Sequence, residues 1–209
     1  MIWDSGLLLS SGAPILRERV WKGKRVWDPK HSKLSALYHK LHHKENDSEL
    51  ELTPEMRVLY LGAGNGTTVS FVADYVEVIY AIEPAPEPMT DLISIALARE
   101  NIIPLLSDAR RPKEYAALIE EVDMVYQDVA QPNQVEIFLA NCATFLKNGG
   151  TGILMLKTRC IDVRQDPEEL SVAAVQTLSD AGYIICDRIW LEPWHKDHSA
   201  LITHKRDIA

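Results

Sequence analysis

The chain changes its hydrophobic rhythm near residue 56. Beyond it, continuous apolar runs such as Val58-Leu59-Tyr60-Leu61 alternate with longer stretches whose apolar residues recur at helical spacing. The first kind reads as a strand buried on both faces, the second as an amphipathic helix. Strands are predicted at 57–61, 77–83, 101–106, 122–128, 151–157, 183–190 and 199–204, and helices at 67–75, 86–99, 112–120, 132–147 and 167–181. Regular alternation of this kind predicts a parallel, doubly wound α/β sheet. The segment joining the last two strands is too short for a crossover helix, so the final strand is expected to run antiparallel.

Before residue 56 the pattern differs. Short strands are expected within 1–30, with Val20 to Trp27 forming a hairpin around Gly23. Ser32 is placed to cap a helix reaching about His43, with Leu34, Leu37, Tyr38 and Leu41 on one face. Lys33 stands in its first turn, where the helix dipole disfavours a cation. A polar link, Lys44 to Glu51, leads into the sheet. The expected division is residues 1–50 as an N-terminal β-hairpin extension with a basic helix, and 51–209 as the main catalytic domain.

Candidate chemistry sits at strand ends. Gly62-Ala63-Gly64-Asn65-Gly66-Thr67-Thr68 follows the first of these strands. Its glycines permit a tight turn and close backbone approach to a ligand, and the helix after it offers unsatisfied N–H groups. Glu83 closes the next strand about 20 positions on, where an acid can accept hydrogen bonds from ribose hydroxyls. Such a loop serves dinucleotides and S-adenosylmethionine alike. There is no second dinucleotide half and no room for a separate substrate domain, which favours S-adenosylmethionine. Seven strands, mostly parallel with an antiparallel last one, are also the plan of class I (Rossmann-like) S-adenosylmethionine methyltransferases. Ligands of such sheets bind outside the carboxyl ends of the strands, where Glu83, Asp108, Asp128 and Lys157 fall.

Composition adjusts this picture. A chain of 209 residues, 46% of them hydrophobic, fits one domain plus an extension. No apolar run reaches spanning length and the start lacks a signal-peptide pattern. Cys142, Cys160 and Cys186 are widely spaced, so reduced thiols in a cytoplasmic protein are expected. His39, His42 and His43 have a spacing suited to metal, but no acid or cysteine completes a set; a solvated face and no metal site are expected. The net charge of −8 conceals an asymmetry. From Arg17 to Lys44 nine Lys or Arg stand against two acids, a net of +7 that leaves −15 on the remainder. A basic block on an acidic body is the footprint of a polyanion partner; the alternative is a solvated helix face and hairpin. Trp21, Trp27 and Tyr38 interleave with these charges as contacts or as core.

Several stretches taken together resemble archaeal fibrillarin. They are Arg25-Val26-Trp27-Asp28-Pro29 with Ser32-Lys33-Leu34, Gly66-Thr67-Thr68, Tyr80-Ala81-Ile82-Glu83, Asp128-Val129-Ala130-Gln131-Pro132, Lys157-Thr158-Arg159 and Lys196-Asp197-His198. The resemblance runs from Leu16 to the C-terminus and implies S-adenosylmethionine as donor and a ribose 2′-hydroxyl of ribosomal or transfer RNA as acceptor. It further implies a box C/D guide RNA, a Nop-family scaffold protein and a kink-turn-binding ribosomal-type protein as partners. By the same resemblance, Gly62, Ala63 and Gly64 form the donor loop, Thr67 and Thr68 line its methionine and sugar region, and Glu83 holds the ribose. Pro84, Asp108 and Ala109 surround the adenine, and Asp128, Val129, Ala130 and Gln131 lie along the donor near the methyl group. The implied catalytic set is Lys33, Asp128, Lys157 and His198. Lys157 is the candidate base, oriented by Asp128; an ordinary lysine is protonated at neutral pH, so a base there needs desolvation or neighbouring cations. Two positions depart from the family's pattern: Gly64-Asn65 replaces a small Ala/Ser pair, and Pro84 replaces an aromatic residue. A structural subunit, a protein methyltransferase and a small-molecule methyltransferase are the competing readings; the basic segment argues against the last.

Overall fold

A computed structural model describes residues 1–43 and 50–206; most of the expected polar link lies outside the described residues. The N-terminal strands Ile2–Asp4 (β1), Leu7–Ser10 (β2), Val20–Trp21 (β3) and Lys24–Val26 (β4) form an antiparallel sheet in the order β1-β2-β4-β3. Its hairpin turns at Lys22 and Gly23, both at positive φ. Helix α1, Lys33–His42, follows, and the Ser32 hydroxyl caps it by accepting from the Ser35 N–H.

The apolar runs then assemble one seven-stranded sheet. Arg57–Leu61 (β5), Val78–Glu83 (β6), Ile102–Leu106 (β7), Val122–Gln127 (β8), Leu146–Lys157 (β9), Tyr183–Trp190 (β10) and His198–Lys205 (β11) lie in the order β10-β11-β9-β8-β5-β6-β7. β11 is antiparallel to both neighbours, and the strands from β9 to β7 are mutually parallel. Helices Thr67–Val72 (α2), Pro86–Ala96 (α3), Pro112–Tyr115 (α4), Gln134–Phe145 (α5), Thr158–Ile161 (α6) and Pro167–Asp180 (α7) make the connections. The helix expected at 112–120 stops at Tyr115 and finishes as a 3-10 turn, since the chain must become extended at Ile119 to enter β8. β9 starts earlier than expected because Leu146 already pairs with Val122. No helix among the described residues is long and apolar enough to cross a membrane.

Alternation within β5 shows why its run is continuously apolar. Val58 and Tyr60 join the core layer on one face of the sheet, Leu59 and Leu61 the layer on the other. The first layer is completed by the N-terminal unit: Leu8, Trp27, Leu34 and Leu37 share it with Val69, Phe71, Ile79 and Tyr126. Trp27 and Tyr38 are therefore core, and Trp27 stacks on Phe71 with ring centroids 5.1 Å apart.

A buried ion cluster reinforces this junction. The fully buried Arg25 guanidinium donates to Glu18 (2.5 Å), Asp74 (2.8 Å), the Ser70 carbonyl (3.0 Å) and the Ser70 hydroxyl (2.7 Å). Asp74 also accepts from Arg99 at 2.9 Å and from Ser10. Two cations and two carboxylates thus balance where isolated charges would be prohibitive. The small N-terminal sheet is thereby stitched onto α2, the helix that follows the glycine loop.

Candidate active site

The glycine loop is shaped by backbone contacts. Gly62 has a φ of 79°, and a Cβ there would collide with the carbonyl of Asp128. Gly64 and Gly66 also have positive φ. The Gly64 N–H donates to Glu83 Oε2 at 2.8 Å, and the Ala85 N–H donates to Glu83 Oε1 at 2.9 Å. The buried Glu83 carboxylate therefore fixes the loop to the end of β6 while each oxygen keeps a lone pair for a further donor.

Two cavities open above the carboxyl ends of the strands. One, of about 370 Å³, is lined by Gly62, Gly64, Glu83, Pro84, Asp108, Ala109, Arg110, Asp128, Val129, Ala130 and Gln131. The other, of about 690 Å³, is lined on one side by Gly62, Ala63, Gly64, Thr67, Thr68 and Asp128 and on the other by Leu16 to Arg19 of the N-terminal segment. They share Gly62, Gly64 and Asp128. Every residue expected to bind the donor lines one or the other. Arg110 grips Asp108 at 2.6–3.1 Å and holds its carboxyl below the usual range.

At the shared point stands an ion pair. The Lys33 ammonium lies 2.7 and 2.9 Å from the two oxygens of Asp128. This pair explains a cation in the first turn of α1: a carboxylate offsets the unfavourable dipole. Asp128 was expected to orient Lys157; its ion-pair partner is Lys33 instead. Ser32 fixes this helix end, since its hydroxyl also accepts from the Trp27 indole at 2.9 Å and from Thr68 at 3.0 Å.

Lys157 and His198 face each other across the β9–β11 ladder, where they are register partners. Among the described residues the Lys157 ammonium has no hydrogen-bonding partner. Its backbone is clamped by Gln134, which accepts from the Lys157 N–H at 2.9 Å and donates to its carbonyl at 3.0 Å. His198 is set by the turn before it. Asp197 lies at positive φ, its carbonyl accepts from the Thr158 N–H and hydroxyl, and its carboxylate accepts from Arg159 at 3.1 Å. The His198 Nδ1–H donates to the Lys196 carbonyl at 2.7 Å. A carbonyl can only accept, so in the neutral ring the lone pair resides on Nε2. Burial holds His198 below the ordinary histidine value, Lys33 and His195 adding to this and Asp128 opposing it. His195, 6.0 Å away between ring centroids, donates from Nε2 to the Pro29 carbonyl at 2.8 Å and is likewise lowered by burial.

Gln134 and His195 escaped the sequence reading. The signal for Gln134 was a polar residue opening an otherwise apolar helix; His195 carried none. The basic segment also changes character. Arg25, Lys22 and Lys33 are engaged by Glu18 and Asp74, by Asp4 and by Asp128, while Lys44 lies outside the described residues. His39 is buried, hydrogen-bonded to the Ser35 carbonyl at 2.8 Å, where a solvated face was expected.

A model of the fibrillarin family matches residues 10–207. The chain belongs to the fibrillarin family. It is 53% identical over 208 residues to a fibrillarin-like rRNA/tRNA 2′-O-methyltransferase of Methanoculleus marisnigri, covering 99% of this chain and 100% of that one. A solved fibrillarin/Nop5p complex superposes with a TM-score of 0.86 at 39% identity, covering 95% of this chain and 94% of that one. Aeropyrum pernix fibrillarin with natively bound S-adenosyl-L-methionine superposes with a TM-score of 0.80 at 37% identity, covering 93% and 86%. The fold is the class I methyltransferase fold, with its antiparallel last strand.

Proposed function

We propose that this member of the fibrillarin family is the catalytic subunit of a box C/D ribonucleoprotein in an archaeal cytoplasm. It transfers a methyl group from S-adenosylmethionine to a ribose 2′-hydroxyl of ribosomal or transfer RNA. A guide RNA selects the site, and a Nop-family scaffold and a kink-turn-binding ribosomal-type protein position the enzyme. The observation that carries this reading is the Lys33–Asp128 pair at the junction of the two cavities, with Lys157 and His198 at neighbouring strand ends.

The donor fits this groove. The Gly62 backbone is bare where any side chain would collide, Glu83 retains acceptor capacity for ribose hydroxyls, and the smaller cavity suits an adenine between Pro84, Asp108 and Ala109. Thr67 and Thr68 line the methionine side, with Asp128, Val129, Ala130 and Gln131 along its length. When bound, S-adenosylmethionine supplies a methyl group made electrophilic by its sulfonium. Lys33 and Asp128 orient the acceptor hydroxyl, which is most of what a displacement with so good a leaving group requires. The proton goes to His198 Nε2, a fixed lone pair on a ring held neutral. That geometry favours His198 over Lys157 as base and leaves the Lys157 ammonium to steady the oxygen and neighbouring phosphate.

The test is transfer from labelled S-adenosylmethionine to an RNA fragment, with and without a reconstituted box C/D particle. Transfer in the particle, lost when the target nucleotide is 2′-deoxy, is the expected result. The −15 remainder of the chain opposes RNA binding by the protein alone. Label appearing on a protein component and none on RNA would overturn the proposal.

A further inference from the structure

Gln134 opens α5, where a glutamine would ordinarily face water, yet it is fully buried. It lines neither of the two cavities. Its place between two strand ends accounts for the burial. β8 pairs with β9 only as far as Gln127 opposite Leu154. Lys157, three residues beyond Leu154, is left without a strand neighbour on that side. The Gln134 amide takes the missing neighbour's place, with an acceptor for the Lys157 N–H at 2.9 Å and a donor for its carbonyl at 3.0 Å. The residue is itself tied to β8, because its own carbonyl accepts from the buried Gln127 side chain at 2.6 Å. One residue thus bridges β8, which leads into Asp128, and β9, which ends at Lys157.

This bridge also sets how Lys157 meets His198. Both backbone groups of Lys157 turn toward Gln134 and away from β11, so the Lys157–His198 pair is of the non-hydrogen-bonded kind. The Thr158 N–H donating to the Asp197 carbonyl is the ladder bond expected beside such a pair. In that kind the facing Cα atoms stand about 4.5 Å apart, and the two side chains approach most closely on one face of the sheet. We propose that Gln134 is a positioning residue: acting through the Lys157 backbone, it fixes the Lys157 ammonium beside His198 and at a set separation from Asp128. The inference rests on the reading of Lys157 as part of the methyl-transfer site.

Single-turnover methyl transfer in the reconstituted particle tests this, comparing wild type, Gln134→Met, Lys157→Ala and the double variant. Gln134→Met keeps the volume and removes both hydrogen bonds to Lys157. At saturating S-adenosylmethionine its rate falls by at least about tenfold, since a misplacement of about 1 Å costs on the order of 100-fold. Its affinity for S-adenosylhomocysteine, measured by calorimetric titration, stays that of wild type. In the Lys157→Ala background the same substitution has no further effect, as befits two residues acting through one group. Additive losses would make Gln134 a brace of the fold and overturn the inference, as would a wild-type rate in Gln134→Met or an equal loss of donor affinity. Where Lys157→Ala leaves no measurable rate, the split between rate and donor affinity in Gln134→Met decides alone. Should Gln134→Met not fold, Gln134→Asn, whose amide falls one methylene short of the Lys157 backbone, carries the same comparison. An unchanged rate in Lys157→Ala would instead reject the placing of Lys157 in the site.

Discussion

At the scale of single residues, the candidate site holds charge and tautomer fixed. Lys33 and Asp128 hold each other at two oxygens, and the Lys196 carbonyl leaves His198 with its lone pair on Nε2. The charged and titratable groups facing His198 are Lys33, Asp128 and His195; burial, with Lys33 and His195, keeps the ring neutral against the Lys196 carbonyl and Asp128. The sign follows directly: a histidine lowered in the fold stays deprotonated through neutrality and gains its proton only below its ordinary value of about 6.5. Particle-bound activity is thus expected to be flat through neutral pH, with an acid limb below that value. His198→Asn should remove the limb and lower the rate by about 100-fold, as loss of a general base does. A pH profile of single-turnover rates checks both; an unchanged limb in the variant would reassign the proton.

At the scale of elements, the site depends on two close approaches. One is the glycine loop against the end of β8. Gly62→Ala adds a Cβ at positive φ directly against the Asp128 carbonyl, so the loop and the strand end must separate. Donor affinity should fall by more than about tenfold while most of the fold persists, an effect of the few kcal/mol that such strain costs. Titration of the variant with S-adenosylhomocysteine measures it, and wild-type affinity would contradict it. The second approach is the N-terminal sheet on α2, through Arg25. That cluster was invisible in the chain because Asp74 and Arg99 lie far in sequence from Glu18 and Arg25, and each of the four reads as an ordinary surface charge.

At the scale of the whole molecule, three histidines set the response to acid. His39, His195 and His198 are all lowered, in each case first by burial. In the unfolded chain each binds a proton near pH 6.5, whereas the folded chain resists protonation. The stability they contribute is present above that value and is lost as pH falls through the lowered folded values. The temperature of thermal unfolding is therefore expected to be steady above neutrality and to drop as pH falls below about 6.5. His39→Leu should reduce the drop, because its ring sits in the apolar layer beneath Trp3 and Trp194. Calorimetry across that range, with and without the substitution, provides the check.

The chain by itself determined the strand and helix plan, since a sheet covered on both faces needs continuous apolar runs and their alternation with amphipathic helices leaves little choice of topology. It also determined which residues gather at one groove: the glycines, Glu83, Asp108 and the Asp128 stretch all sit at strand ends, and topology alone brings strand ends together. The tertiary structure decided what depends on approach from elsewhere. Lys33 reaches Asp128 from an N-terminal helix 95 positions away, Gln134 clamps Lys157, and burial of Arg25 turns part of a basic segment into internal ion pairs. A side chain's type is written in the sequence, but its partner and its exposure to water are not, and these set whether a charge binds RNA, braces a sheet or faces the donor.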